Sequence, residues 1–195
     1  MTLLGTLLRN NRPDERSYAW NQPNLSAPET LAITSGDFAD SNPLAPRHAG
    51  SRGGGENLSP HLSWSEPPGG TAELLLLIED LDSPLGKTPA VHCLAVIDGG
   101  GLQRPHELAP GALSRRNTAP GITLLRSVIG RGYHGPEPVK GHGPHRYVFQ
   151  VFALSGSLLS RPDREALIKT PPRKLLASID APVLARGRII GTYER

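Results

Sequence analysis

The sequence is poor in cysteine, methionine and aromatic residues. Its 195 residues include one cysteine, one methionine and only 5% aromatic residues. The single cysteine, Cys93, excludes an internal disulfide, and its place inside an apolar stretch predicts an inert core residue. The core therefore has to be built from Leu, Val, Ile and Ala.

Long apolar runs and dense basic clusters are also missing. The apolar residues at 3–8 are too few to span a bilayer, and basic residues follow them instead of preceding them as in a secretory signal. The formal net charge is only +3, and the basic residues are scattered. We therefore expect a cytoplasmic protein with no transmembrane segment and no nucleic-acid partner.

Glycine and proline are abundant, with 22 and 20 residues spread along the chain. This distribution predicts many turns, short elements and more β-strand than helix. The length fits one domain. We predict an N-terminal arm at residues 1–28, which packs on a neighbour or across its own sheet, followed by a single domain at residues 29–195.

Apolar runs at 74–78, 91–97 and 147–154 predict three long strands. Shorter strands are predicted at 31–38, 62–64, 122–125 and 188–193, and short helices at 163–169 and 173–179, with Thr170 as the cap of the second helix. Because the helices come late in the chain, the predicted architecture is an antiparallel β-sandwich with short helices near the C-terminus.

Three titratable residues flank the long runs. Asp80 follows the first run, His92 stands near the start of the second, and His145 precedes the third. If these strands are antiparallel neighbours, the three side chains meet at one rim of the sheet. Strand alternation places His92 in phase with Leu94, and His145 in phase with Tyr147.

A carboxylate beside two imidazoles favours an anion site. An imidazolium donates hydrogen bonds through both ring nitrogens, and a nearby carboxylate favours its charged form. Asp80 would orient one histidine while the other meets the ligand. On this hypothesis, affinity for phosphate falls as the pH rises above about 7.

Several motifs resemble one known family. Asp80-Leu81-Asp82-Ser83-Pro84 followed by His92, and then 141–149 with the sequence GHGPHRYVF, resemble the motif pair of the phosphatidylethanolamine-binding protein family. Residues 57–64 resemble the segment before its first motif, and residues 190–193 resemble the ending of its bacterial branch. The likeness covers roughly residues 29–195 in order.

The resemblance implies a β-sandwich with a small pocket for phosphate-containing small molecules or lipid head groups such as phosphorylethanolamine. By this resemblance, Asp80, His92 and His145 form the polar wall of the pocket, and Tyr147 lines or supports the pocket. The turn with Gly135, Pro136 and Pro138 forms the rim. Eukaryotic members of the family inhibit kinases or proteases or act as signalling scaffolds, and bacterial members are far less defined in role. The resemblance therefore implies a regulatory or inhibitory role as an alternative to simple head-group binding.

Two positions depart from the family pattern. Leu81 stands where the family has proline, which loosens the turn between two carboxylates. Glu137 lies in the rim turn, where the family usually has a small neutral residue. If its carboxylate pointed inward, it would repel phosphate.

Other chemistries stay open from the residues alone. His134, His142 and His145 could hold zinc with Asp80, and Ser83 could serve a small-ester hydrolase. A protein-interaction role would use residues 1–28 and the loop at 132–143. We expect binding without catalysis, no cofactor, no metal, and a monomer or homodimer.

Overall fold

The computed structural model describes residues 3–98, 106–160 and 162–195. The strands within these ranges are β1 (Ile33–Thr34), β2 (Asn42–Pro43), β3 (Leu62–Trp64), β4 (Glu73–Asp80), β5 (Ala90–Ile97), β6 (Glu107–Leu108), β7 (Ile122–Leu124), β8 (Arg126–Ser127), β9 (Gly130–Arg131), β10 (His145–Leu154) and β11 (Val183–Tyr193), and the helices are α1 (Leu3–Leu8), α2 (Arg164–Lys169) and α3 (Pro172–Ala177). The mainly β class with short helices is confirmed. Within these ranges, no helix is long and apolar enough to cross a membrane.

The three long apolar runs form the centre of a six-stranded sheet. Its strand order is β2-β11-β10-β4-β5-β7. The central pairs are antiparallel as predicted, but the edge strand β2 runs parallel to β11, so the sheet is mixed. A three-stranded sheet, β1-β3-β6, and the two-stranded β8-β9 hairpin complete the strands of the described ranges.

Each face of the large sheet is covered by a separate apolar cluster. Leu76, Ile78 and Phe149 pack with Leu62 and Trp64 of the smaller sheet, which makes the sandwich. The alternate residues of the same strands, including Leu75, Leu77 and Phe152, pack against the helices and the N-terminal residues on the other side. Because both faces are covered, the central strands are apolar throughout.

The described part of the N-terminal arm packs across its own sheet. Tyr18, Trp20 and Leu25 are buried in the second cluster. The indole of Trp20 is covered by the guanidinium of Arg186, 4.0 Å from the ring centroid. The backbone N–H of Ala19 donates to Oε2 of Glu79 at 3.2 Å, which ties the arm to β4.

Some element boundaries differ from the predictions. Only Ile33–Thr34 of the segment 31–38 is a strand, because the turns that follow end it. Asp163 caps α2 by accepting from the backbone N–H of Ala166, whereas α3 begins after Pro171 and not after Thr170. The early helix α1 was not predicted; Gly5 lets it approach the backbone of Lys140 and Gly141 closely.

Candidate functional site

A cavity of about 410 Å³ opens where β4 ends and where β5 and β10 begin. Asp80, His92, His145 and Tyr147 all lie in its wall, so the structure brings the predicted polar residues together. Residues that the sequence interpretation did not assign to the site also line it, among them Arg52, His134, Val139, Leu85, Val128 and Ile129.

A β-bulge turns His92 toward this cavity. Ile78 pairs with Cys93 and Glu79 with Val91, so His92 is an extra residue without a partner on β4. Val91 and Leu94 consequently share the second cluster, while Cys93 belongs to the first. The predicted phase, with His92 on the face of Leu94, is therefore wrong, because the bulge re-aims the side chain.

His145 is held by protein groups at both ring nitrogens. Its Nδ1 lies 2.8 Å from Oδ2 of Asp80, and its Nε2 lies 2.7 Å from Nδ1 of His142. The ring is buried. Asp80 thus orients His145, and His145 has no nitrogen left to bind a ligand directly.

His142 links His145 to the N-terminal arm. Its Nε2 lies 2.9 Å from the carbonyl oxygen of Leu8 and 2.7 Å from Nη1 of Arg12. One nitrogen either donates to Leu8 or accepts from Arg12, so the two contacts belong to different tautomers. If Nε2 of His142 donates to Leu8, Nδ1 of His142 accepts from Nε2 of His145, and His145 carries a hydrogen on both nitrogens. If Nε2 of His142 accepts from Arg12, Nδ1 of His142 donates to Nε2 of His145, which is then neutral.

His92 leaves one nitrogen for a ligand. Its Nδ1 donates to the carbonyl oxygen of His134 at 2.7 Å, and its Nε2 is 4.0 Å from Oδ2 of Asp80. Burial lowers the pKa of His92, although Asp80 opposes this effect. The expectation that the carboxylate would favour the charged form fails for His92, because the lost hydration of the ring outweighs the attraction.

Tyr147 presents an unsatisfied donor. It pairs with Asp80 across the strands, and its buried hydroxyl makes no hydrogen bond of normal geometry in the described ranges, although it lies close enough to the Asp80 carboxylate for that contact to raise its pKa. Its ring meets the edge of His92, with centroids 5.1 Å apart. Burial and the negative charge of Asp80 raise the pKa of Tyr147, so the hydroxyl stays protonated near neutral pH.

The turn after β4 is fixed without proline. Oδ1 of Asp80 accepts from the backbone N–H of Asp82 at 2.8 Å, an Asx-type turn. Arg146 donates to both oxygens of Asp82, at 2.9 and 3.0 Å, and forms an ion pair with it. Burial opposes ionisation of Asp82, but the hydrogen bonds from Arg146 hold its pKa below the usual range. Leu81 therefore does not leave the turn loose.

The rim turn contributes unequally to the cavity. Pro138 lines the cavity, whereas Gly135 and Pro136 lie behind its wall, outside the lining residues. The backbone N–H of Gly135 donates to Oδ1 of Asn57 at 2.7 Å, and the carbonyl of Pro136 accepts from Gly50 at 3.0 Å. These two residues fasten the turn to the preceding loop.

Glu137 lies in the cavity wall with its carboxylate tied to neighbouring groups. Oε1 accepts from the backbone N–H of Arg52 at 2.9 Å, and Oε2 lies 3.4 Å from Nε2 of His134. A Cβ on Gly50 would stand 2.3 Å from Oε1, so only glycine lets the carboxylate reach this position without displacement. The carboxylate of Glu137 is therefore held in the cavity wall by Arg52 and His134, and it points neither freely into the cavity nor into solvent.

The histidines considered as zinc ligands do not converge. His134 is stacked on His92, with centroids 5.7 Å apart, while His142 and His145 bond to each other. No group of three or more potential ligands with metal-binding geometry is found in the described part of the chain. The arrangement provides a hydrogen-bonding wall, with His92 and Tyr147 as the groups available to a ligand.

Comparison with known proteins identifies the family. Residues 34–194 match the family model described as phosphatidylethanolamine-binding protein. A UPF0098 protein of Aquifex aeolicus is 32% identical over 141 residues, which cover 72% of this chain and 77% of the relative. UPF0098 protein YbhB of Escherichia coli is 31% identical over 127 residues, covering 64% and 78%. The chain belongs to the phosphatidylethanolamine-binding protein family.

Solved structures agree with this assignment. YbcL of E. coli, described as a new member of the mammalian PEBP family, has a TM-score of 0.72 and 26% identity, covering 85% of this chain and 98% of that one. The homologue CT736 of Chlamydia trachomatis has a TM-score of 0.63 and 24% identity, covering 85% and 97%, and supports the fold alone. The predicted family is confirmed.

Arg52, His134 and His142 are the residues that the sequence interpretation left out of the anion pocket, although it considered the two histidines as zinc ligands. Arg52 lies in a loop read as a plain turn, and His134 stands outside the three apolar runs. His142 had a usable signal, because it precedes His145 by three residues in the same motif. Only the folded chain shows that Arg52 and His134 reach the cavity.

Proposed function

We propose that the cavity binds a phosphate-bearing head group that also carries a cation, as phosphorylethanolamine does. The observation that carries this proposal is the buried Tyr147 hydroxyl, which makes no hydrogen bond of normal geometry within the described ranges while its residue lines the cavity. A buried polar group without a partner is costly, and a ligand oxygen would satisfy it.

The donors suit a phosphate oxygen. Tyr147 donates its phenolic hydrogen, and Nε2 of His92 donates when the ring is protonated. The exposed Arg52 lines the same cavity and supplies a positive charge. Because the pKa of His92 is lowered, the gain from its charge should come below about pH 6.5, lower than the sequence alone suggested.

The carboxylates favour a zwitterion over bare phosphate. Asp80 and Glu137 both lie in the cavity wall, and each would repel a second negative charge. An ammonium group beside the phosphate would turn this repulsion into attraction. Glu137 is therefore compatible with a zwitterionic head group and unfavourable for inorganic phosphate.

Calorimetric titration with phosphorylethanolamine and with inorganic phosphate tests the proposal. We expect the zwitterion to bind more tightly, and Tyr147→Phe to weaken both by about tenfold through loss of one hydrogen bond to a charged group. Glu137→Gln should reduce the difference in affinity between phosphorylethanolamine and inorganic phosphate. Ser63→Ala, on β3 and outside the cavity lining, is the control. If neither ligand binds, or if Tyr147→Phe binds both like the wild type, the proposal is wrong.

The wider biological roles remain predictions from the sequence. These are regulation of a kinase or protease, contact with a protein partner, a cytoplasmic location, and a monomeric or dimeric state. For a hydrolase that uses His145 as its base, the structure offers less support, because both ring nitrogens of His145 are already hydrogen-bonded.

A further inference from the structure

The mouth of the cavity carries an exposed apolar patch. Val128 and Ile129 form the tip of the β8-β9 hairpin and are 62% and 57% exposed, and Leu85 is 77% exposed on the loop after β4. All three line the cavity. They are three of the four large apolar side chains exposed in the described ranges, so the exposure is concentrated at one place.

The hairpin tip is held against the site. The backbone N–H of Val128 donates to the carbonyl of Val91 at 3.0 Å, next to the bulge that presents His92. Both apolar residues of this anchored tip are more than half exposed. Because the tip lies next to the cavity, its apolar side chains would contact a ligand at the cavity mouth.

Basic side chains surround the base of the hairpin. Arg126 and Arg131 face each other across the two strands, and Arg115, Arg126, Arg131 and Lys169 line one shallow cleft there. The ammonium of Lys169 is paired with Glu165. The three arginines have no ion pair within the residues that the structure describes, so this surface presents uncompensated positive charge.

We infer that this hairpin docks the cavity mouth onto an anionic lipid bilayer. Apolar residues at a projecting tip enter the boundary between head groups and acyl chains, while the flanking arginines meet the lipid phosphates. The surface fits a bilayer better than an acidic protein, because exposed apolar side chains at the cavity mouth stand beside arginines that have no ion pair in the described ranges, and a bilayer offers acyl chains and phosphates together. Since it names a membrane as the source of the head group, the inference rests on the proposed function.

Vesicle flotation tests the docking. The probes are vesicles of phosphatidylcholine alone and vesicles that also contain phosphatidylglycerol, neither of which carries ethanolamine. We expect the wild type to bind the anionic vesicles and to lose binding as salt is raised. Val128→Ser with Ile129→Ser, and separately Arg126→Gln with Arg131→Gln, should weaken binding, the latter by about fivefold per arginine.

Two controls separate this inference from the proposed function. Leu7→Ser removes the remaining exposed apolar side chain, 73% exposed and outside the cavity lining, and should leave vesicle binding unchanged. Tyr147→Phe should retain vesicle binding but bind the head group about tenfold more weakly. The Arg126→Gln, Arg131→Gln variant, whose residues lie outside the cavity lining, should do the reverse. Wild-type protein that ignores anionic vesicles, or hairpin variants that bind them normally, would overturn the docking even if phosphorylethanolamine binds in solution.

Discussion

The Nδ1 of His142 lies 2.7 Å from the Nε2 of His145, and through this contact the N-terminal arm reaches the charged wall of the cavity. His145 bonds to Asp80 on its other side, while His142 meets Leu8 and Arg12. Hydrogen bonds thus connect Leu8 and Arg12 of the arm to Asp80 through His142 and His145. The arm therefore belongs to the electrostatics of the site, although the family match begins only at residue 34.

His142→Ala should destabilise the protein through the partner that it leaves behind. The buried Nε2 of His145 would lose its hydrogen bond, at a cost of about 1–3 kcal/mol in the free energy of unfolding. Urea denaturation measures this change. Arg12→Gln removes a half-exposed ion pair with Asp82 and keeps the histidine pair, so its cost should stay below about 1 kcal/mol. Equal losses in the two variants would contradict a specific role for His142.

The pKa values of His92 and His142 predict how stability depends on pH. Burial lowers the pKa of both below 6.5 in the folded chain. Between the folded and unfolded pKa values the unfolded chain binds more protons, so stability is complete above about pH 6.5 and is lost as the pH falls through the folded values. Urea denaturation across pH should show this slope, and His92→Gln should reduce it. An NMR titration midpoint for His92 at or above 6.5 would refute the assignment.

The sequence predicted the central sheet because long apolar runs are a strong signal, and the motifs predicted the cavity. The orientation of His92 could not be predicted in the same way. Strict alternation puts it on the face of Leu94, and the bulge that reverses it depends on how β4 and β5 pair, which is a long-range property. His134 likewise reaches the site only because the chain after β9 folds back, so that the carbonyl oxygen of His134 accepts a hydrogen bond from Nδ1 of His92.

Cys93 should be unreactive in the folded protein. It is fully buried, and burial raises the pKa of its thiol to about 12, so almost no thiolate exists at neutral pH. A thiol reagent such as dithionitrobenzoate should label it only after unfolding in urea. The labelling rate should follow the unfolded fraction, and rapid labelling of native protein would show that the core beneath the bulge opens.

Glu79→Ala should be strongly destabilising. Glu79 is fully buried, pairs with Arg173, and accepts from Gln150 at 2.8 Å and from Ala19. Its removal leaves Arg173 without its ion-pair partner and breaks the hydrogen bond to Ala19 of the arm. The free energy of unfolding should fall by about 3–5 kcal/mol.

Glu165→Ala is the matched control, because its pair with Lys169 is 78% exposed on the glutamate side and should contribute no more than about 0.5 kcal/mol. Chemical denaturation of both variants measures the difference. Similar losses would contradict the role given to Glu79 in holding the arm.

Gly135→Ala tests whether this residue acts through packing. A Cβ there would stand 2.2 Å from the carbonyl oxygen of His48 and 2.6 Å from the backbone of Ala49, so the turn would have to move away from the neighbouring loop. The strain should cost about 1–3 kcal/mol. Gly69→Ala has no atom within 4 Å of its added Cβ and should change stability by less than about 1 kcal/mol. Thermal unfolding compares the two. Because Glu137 and Pro138 follow in the same turn, Gly135→Ala should also weaken head-group binding. A Gly135→Ala protein with normal stability and weakened binding would instead indicate that Gly135 contacts the ligand directly.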